Sequence, residues 1–114
     1  MITFSCKKIS KKDLIKCTFD LNKTEYNLLL FLFGKNKKYT VFQISKNMEL
    51  DRTTIQKAIK ILVIKNLIRR TQRNISKGGY TFLYEINNKN QIKKRIKKMV
   101  YTWYKGIERA IEEL

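Results

Sequence analysis

Histidine and proline are both missing from this 114-residue chain. Without histidine the commonest general base is gone, and so are the catalytic triads that depend on an imidazole. Cys6 and Cys17 are the only cysteines, and two thiols with no third or fourth ligand make a poor zinc site. They are expected to be reduced and partly buried. Nine carboxylates remain, but most fall where helices use acids as caps or in their C-terminal turns. HExxH, GxGxxG and GxxxxGKS do not occur. No catalytic residue, metal or cofactor is expected, and the chain is not read as an enzyme.

Long apolar runs are scarce as well. The greasiest, LLLFLF at 28–33, falls far short of the roughly 20 residues needed to span a bilayer. The opening MITFSCKKISKKDL lacks the apolar centre of a secretory signal. A cytoplasmic protein with no membrane partner is expected.

Positive charge is what the chain has in excess. Lysine and arginine number 26 against nine acids, a net charge of +17. Such an imbalance calls for a polyanionic partner, nucleic acid ahead of an anionic membrane surface; a merely solvated lysine-rich surface is the bland alternative. At 43% hydrophobic the chain has enough apolar surface for one small core.

With no proline, the breaks must be read from glycine, asparagine and helix caps. Ser10 with Asp13 suggests a short helix over residues 10–19. Asn22 with Glu25 opens a second, residues 23–34, in which Tyr26, Leu29, Leu30 and Phe33 share a buried face and Gly34 ends the run. Tyr39 fits a very short strand. Thr40 and Gln43 cap a two-turn helix over 41–48, whose apolar face draws on Val41, Phe42, Ile44 and Met48. After Glu49 and Leu50, Asp51 caps the next helix, with Ile55, Ala58, Ile59, Leu62 and Val63 as its stripe. Asn66 suits its left-handed end.

The period then changes from 3.6 to 2. Residues 67–73 and 80–86 read as strands joined by a turn at 74–79, a hairpin with Tyr80, Phe82, Tyr84 and Ile86 on its core face. From Asn88 the pattern is helical to the end, with Ile92, Ile96, Met99, Val100, Trp103, Tyr104, Ile107, Ile111 and Leu114 in one stripe. The expected fold is mainly α with a small β-hairpin (α+β). Its divisions are an N-terminal arm at 1–20, a helix-turn-helix with wing at 21–87 and a C-terminal helix at 88–114, all in one structural domain.

A short helix, a tight turn and a longer helix with polar residues at its start describe a DNA-binding helix-turn-helix, and a basic hairpin adds a wing. With the apolar stripe held inward, Arg52, Thr53, Gln56, Lys57 and Lys60 lie on the opposite side. Arginine forks onto a guanine edge and glutamine onto adenine, while threonine meets a thymine methyl or a phosphate. Lys57 and Lys60 suit phosphates, as do the wing residues Arg70, Arg73 and Lys77. Residues 40–80 hold nine basic side chains against two acidic ones. A merely capped, solvated helix start is the competing view of residues 52–57.

In the last helix, Ile96, Trp103, Tyr104, Ile107, Ile111 and Leu114 extend beyond what a small core can cover. Two-fold pairing with a second copy would cover them; an amphipathic membrane helix is the rival, opposed by the acidic end.

LNKTEYNLLLFL, then YTVFQISKNMELDRTTIQKAIKILVIKNLIRR, then a Gly-Gly hairpin resemble winged-helix transcriptional regulators of the TrmB and MarR kind. The match is to small archaeal regulators without a sugar-binding domain. Its motifs fall on Leu21 to Phe31, Leu50 to Thr54 and Leu62 to Ile68, and the likeness runs over residues 18–114. It implies a homodimer on pseudo-palindromic double-stranded DNA, with Arg52, Thr53, Thr54, Gln56 and Lys57 at bases or phosphates. Having no effector domain, the chain is expected to take no small-molecule effector. A DNA-binding regulator, most simply a repressor, leads. A non-specific nucleic-acid coat or RNA binder and a protein-interaction winged helix stay open.

Overall fold

The computed structural model describes residues 2–114, with side chains from residue 3 onward. In chain order the elements are β1 (Ile2–Thr3), β2 (Lys8–Ile9), α1 (Lys11–Phe19), α2 (Lys23–Phe33), α3 (Val41–Met48), α4 (Arg52–Ile64), β3 (Ile68–Asn74), β4 (Tyr80–Ile86) and α5 (Lys89–Glu112). They divide into two units. Residues 21–87 form one; residues 1–20 with 88–114 form the other.

In the 21–87 unit, α4 packs against α2, α3 and β3, while β4 packs against α2 and α3. Leu28, Leu32, Ile44, Ile55, Leu62 and Leu67 are its most deeply buried side chains. The helix starts are set by side chains that satisfy otherwise orphaned backbone N–H groups. Asn22 Oδ1 accepts from Glu25 N at 2.8 Å while Asn22 N donates to the Glu25 carboxylate at 3.0 Å. Thr40 and Gln43 repeat the exchange for α3, and Ser10 with Asp13 does so for α1 in the other unit. All three capping boxes stand where the sequence predicts them.

Between α3 and α4 the chain turns within three residues, because Glu49 adopts φ 55° and reverses the backbone at once. Asp51 then caps α4, accepting from Thr54 N at 2.7 Å. The far end of α4 is a Schellman motif. Asn66 sits at φ 57°, Leu67 N donates to Leu62 O at 2.9 Å, and Asn66 N donates to Val63 O at 3.0 Å. This hands Leu67 to the core, so the first wing strand begins at Ile68 rather than Leu67.

β3 and β4 pair antiparallel, with Arg70 opposite Tyr84, Gln72 opposite Phe82 and Asn74 opposite Tyr80. Gly78 and Gly79, at φ 90° and 86°, make the turn possible without a Cβ penalty. Tyr39 exchanges two backbone hydrogen bonds with Tyr84, 2.9 and 2.8 Å, forming the expected one-residue third strand.

The second unit holds the β1–β2 hairpin, which the sequence reading missed because two-residue strands carry no period, together with α1 and α5, which pack on each other. Phe4 meets Trp103 edge-on at 5.9 Å, and Arg95 lies over the Phe19 ring at 4.8 Å.

Four burial expectations fail. In α2, Leu30 is exposed and Phe33 half-buried, while Leu28 and Leu32 are sealed; LLLFLF is apolar all round, so its sequence names no inward face. Phe42 is exposed because Ile44 takes the core position of α3. On β4 only Tyr84 is buried, with Phe82 and Ile86 half-buried and Tyr80 exposed. Cys6 and Cys17 are exposed free thiols, since their thin unit has little interior.

Among the described residues no helix is long and apolar enough to cross a membrane, and no group of three or more acids or cysteines could hold a metal ion.

Candidate nucleic-acid interface

Helical geometry sorts α4 into two sides. Ile55, Ala58, Ile59 and Leu62 are buried, which leaves Arg52, Thr53, Gln56, Lys57 and Lys60 exposed. Thr54 is half-buried. Its hydroxyl and its backbone N–H both hydrogen-bond the Asp51 carboxylate and hold that group below the usual carboxylate range. Thr54 therefore serves the cap, and its side chain is less accessible than its neighbours'.

The wing register divides the basic residues that the sequence grouped together. Arg70 shares a face with Tyr80, Phe82 and Tyr84, whereas Arg69 and Arg73 lie on the other face with Thr81, Leu83 and Glu85. Arg69 is bound to Glu85 at 3.2 Å, a cross-strand ion pair. Arg73 and Lys77 are exposed, Lys77 in the turn closed by Gly78 N donating to Ile75 O at 3.0 Å.

Between α4 and the wing lies an open groove of about 760 Å³. It brings together Arg52, Gln56 and Lys60 from the helix and Arg70 from the wing; Thr53, Thr54, Lys57, Arg73 and Lys77 lie outside its lining. Its floor carries residues that the sequence reading assigned to the core. The Phe42 ring has the Arg52 guanidinium 5.1 Å and the Lys46 ammonium 4.8 Å from its centroid. Arg70 stacks over Phe82 at 4.3 Å, and Tyr80 meets Phe82 at 5.3 Å, tilted by 64°. Cations placed over ring faces are held by the ring quadrupole, worth about 0.5–1 kcal/mol at exposed sites. Phe42 and Phe82 thus position Arg52 and Arg70, and Tyr80 lines the groove beside Phe82. Lys46, four residues after Phe42 on α3, was a local signal, whereas Arg70 reaches Phe82 through the strand register, which a strand period alone does not reveal.

Of the residues assigned to pairing, Trp103, Tyr104, Ile111 and Leu114 are exposed along α5, while Ile96 and Ile107 are half-buried.

Residues 10–106 match the DnaD N-terminal domain family. The chain belongs to that family. This DnaD N-terminal domain is 31% identical over 101 residues to the uncharacterized protein MJ1503 of Methanocaldococcus jannaschii, a match spanning 89% of this chain and 76% of the relative. A possible transcriptional regulator from Methanosarcina mazei Go1 has the same fold, with TM-score 0.87 and 33% identity over 99% of this chain and 95% of that one. A mutant MepR of S. aureus bound to an oligodeoxyribonucleotide aligns at TM-score 0.58 and 16% identity, over 91% of this chain and 73% of its own. The expected mainly α, winged-helix architecture with a long C-terminal helix holds, as does the likeness to winged-helix regulators.

Proposed function

We propose that the protein is a dimeric regulator of transcription that binds double-stranded DNA by sequence, most simply as a repressor occupying promoter DNA. The observation that carries this reading is α4 itself. Its back is sealed at Ile55 and Leu62, and its front offers Arg52, Thr53, Gln56 and Lys57 to solvent from the first two turns. Those turns of a recognition helix are the ones that reach base edges in a major groove. Arg52 and Gln56 would read bases and Lys57 and Lys60 would meet phosphates. Thr53 and Thr54 lie at the helix start, the former free to touch a base or phosphate. Arg70, Arg73 and Lys77 would carry the wing along the adjacent backbone or minor groove. The net charge of +17, the possible transcriptional regulator from Methanosarcina mazei and the DNA-bound MepR support it.

Dimerisation belongs to residues 88–114. Trp103, Tyr104, Ile111 and Leu114 are exposed apolar surface that a second copy would cover, and the charge of the helix suits its own two-fold mate. Residues 89–98 carry six basic side chains and no acid, while Glu108, Glu112 and Glu113 crowd the other end. Antiparallel pairing sets each acidic end beside a basic one, a self-complementary interface.

The test begins with selection of bound fragments from the source genome. The selected duplex and a random duplex are then titrated at two salt concentrations. Clear preference for the selected duplex is expected, with log K falling against log salt at a slope of about −5 per subunit if about six cations meet phosphate. A specificity ratio near one would overturn the regulator reading.

A further inference from the structure

We propose that the groove between α4 and the wing holds an unpaired base of single-stranded DNA, stacked on Tyr80, while Arg52, Lys60 and Arg70 meet the flanking phosphates. The inference rests on the reading of this face as the nucleic-acid interface, but not on duplex specificity.

Three features converge on that occupant. The first is exposed aromatic surface where a small domain has reason to hide it. Tyr80 is 57% and Phe42 47% exposed, and both line one concavity with Phe82 and Tyr84. Every base has a π-face, so rings in an open groove stack on bases without demanding a sequence. A duplex keeps those faces inside its own stack, so only an unpaired base can use Tyr80.

The second feature is charge. Arg52, Lys60 and Arg70 line the groove, and no acidic side chain does so among the described residues. An apolar peptide or an uncharged ligand would gain nothing from this ring of cations; a strand with a phosphate beside every base gains from both the cations and the rings. Arg70 at 4.3 Å from the Phe82 centroid and Arg52 at 5.1 Å from that of Phe42 are already held in place. Less side-chain freedom is lost on binding when cations are pre-positioned.

Scale is the third. At about 760 Å³ the groove falls in the range of sites that enclose a small planar ligand with a few convergent polar groups. Gln56, exposed on its wall, supplies an amide that can both donate and accept at a base edge. The helix front and the Tyr80 face of the wing would then act on melted or frayed DNA next to a duplex.

The experiment uses fluorescein-labelled oligothymidylate and the same strand with its central thymines replaced by abasic sites, so that charge and length are equal. Binding of the full chain is followed by fluorescence anisotropy. Loss of the bases should weaken binding roughly 5- to 150-fold, the range that stacking of one base spans. Tyr80→Ala should weaken oligothymidylate by a similar factor and leave the abasic strand unchanged, while Tyr80→Phe keeps the wild-type affinity. Tyr80 is exposed, so these variants do not threaten the fold. Equal affinity for the two strands, or equal weakening of both by Tyr80→Ala, would overturn the proposal. So would tighter binding of oligouridylate than of oligothymidylate. A selected duplex serves as the separate arm. If it loses its preference over random duplex while the abasic contrast persists, the regulator reading fails alone; the reverse pattern sinks only the groove.

Discussion

In α4, Ile55, Ala58, Ile59 and Leu62 recur at helical spacing and all are buried; in α5, Trp103, Tyr104 and Ile111 recur at helical spacing and all are exposed. By periodicity alone the two helices look alike. They differ in what their own unit can supply. The stripe of α4 is met by α2, α3 and β3, and burying it positions the polar front. The stripe of α5 is met in its own unit by α1 and, at Trp103, by Phe4, yet Trp103, Tyr104 and Ile111 stay exposed. One amphipathic pattern organises a domain; the other leaves part of its apolar face in solvent.

The largest effect that can test this contrast is in the α4 core. Leu62→Ala should destabilise the protein by about 2–5 kcal/mol, the usual range for a sealed leucine, measured by urea denaturation. A loss below about 1 kcal/mol would mean that the stripe of α4 is less tightly packed than its burial implies.

Trp103→Glu should leave the far-ultraviolet helical signal in place while the mass seen by light scattering falls to that of one chain. An unchanged mass would reject α5 as the contact between copies.

Next in size are the two sides of the interface. Arg52→Ala or Gln56→Ala should weaken binding to the selected duplex by about 1–3 kcal/mol and relax sequence preference. Lys77→Ala, at the wing turn, should weaken all duplexes alike. If all three variants lose equally on every duplex, the base-reading role of the α4 front is wrong.

The smallest effect is acid sensitivity at the start of α4. Hydrogen bonds from the Thr54 hydroxyl and backbone N–H lower the pKa of Asp51 from 3.8. The unfolded chain therefore takes up its proton first on acidification. The cap's contribution is complete well above pH 3.8 and fades as pH falls through the lower folded value. Asp51→Asn keeps a capping side chain but removes the titration, so its thermal stability should fall less steeply with acid than that of the wild type. Parallel acid limbs for the two proteins would remove Asp51 from the account.

Much of this architecture was readable because it is written in local chemistry. Ser10 with Asp13, Asn22 with Glu25 and Thr40 with Gln43 are three-residue exchanges, and Asp51 and Asn66 bracket α4 by the backbone geometry that each favours. Exposure of Arg52, Gln56 and Lys60 followed from counting 3.6 residues per turn away from Ile55 and Leu62. Where the pattern was degenerate, it misled. LLLFLF offers apolar residues on every side, so only packing could seal Leu28 and Leu32 and leave Leu30 outside. Alternation of Tyr80, Phe82, Tyr84 and Ile86 told which residues share a face but not which part of that face is covered.

By itself, then, the sequence determined the order of elements from α1 onward, their N-caps, the polar front of α4 and the excess of positive charge. These depend on neighbours within a few residues or on simple counting. Only the tertiary structure decided that Arg70 and Arg73 part to opposite faces of the wing, and that Phe42 and Tyr80 join Arg52 around one groove. Strand register and long-range packing bring those residues together, and no local rule acts across the 37 positions between Phe42 and Tyr80.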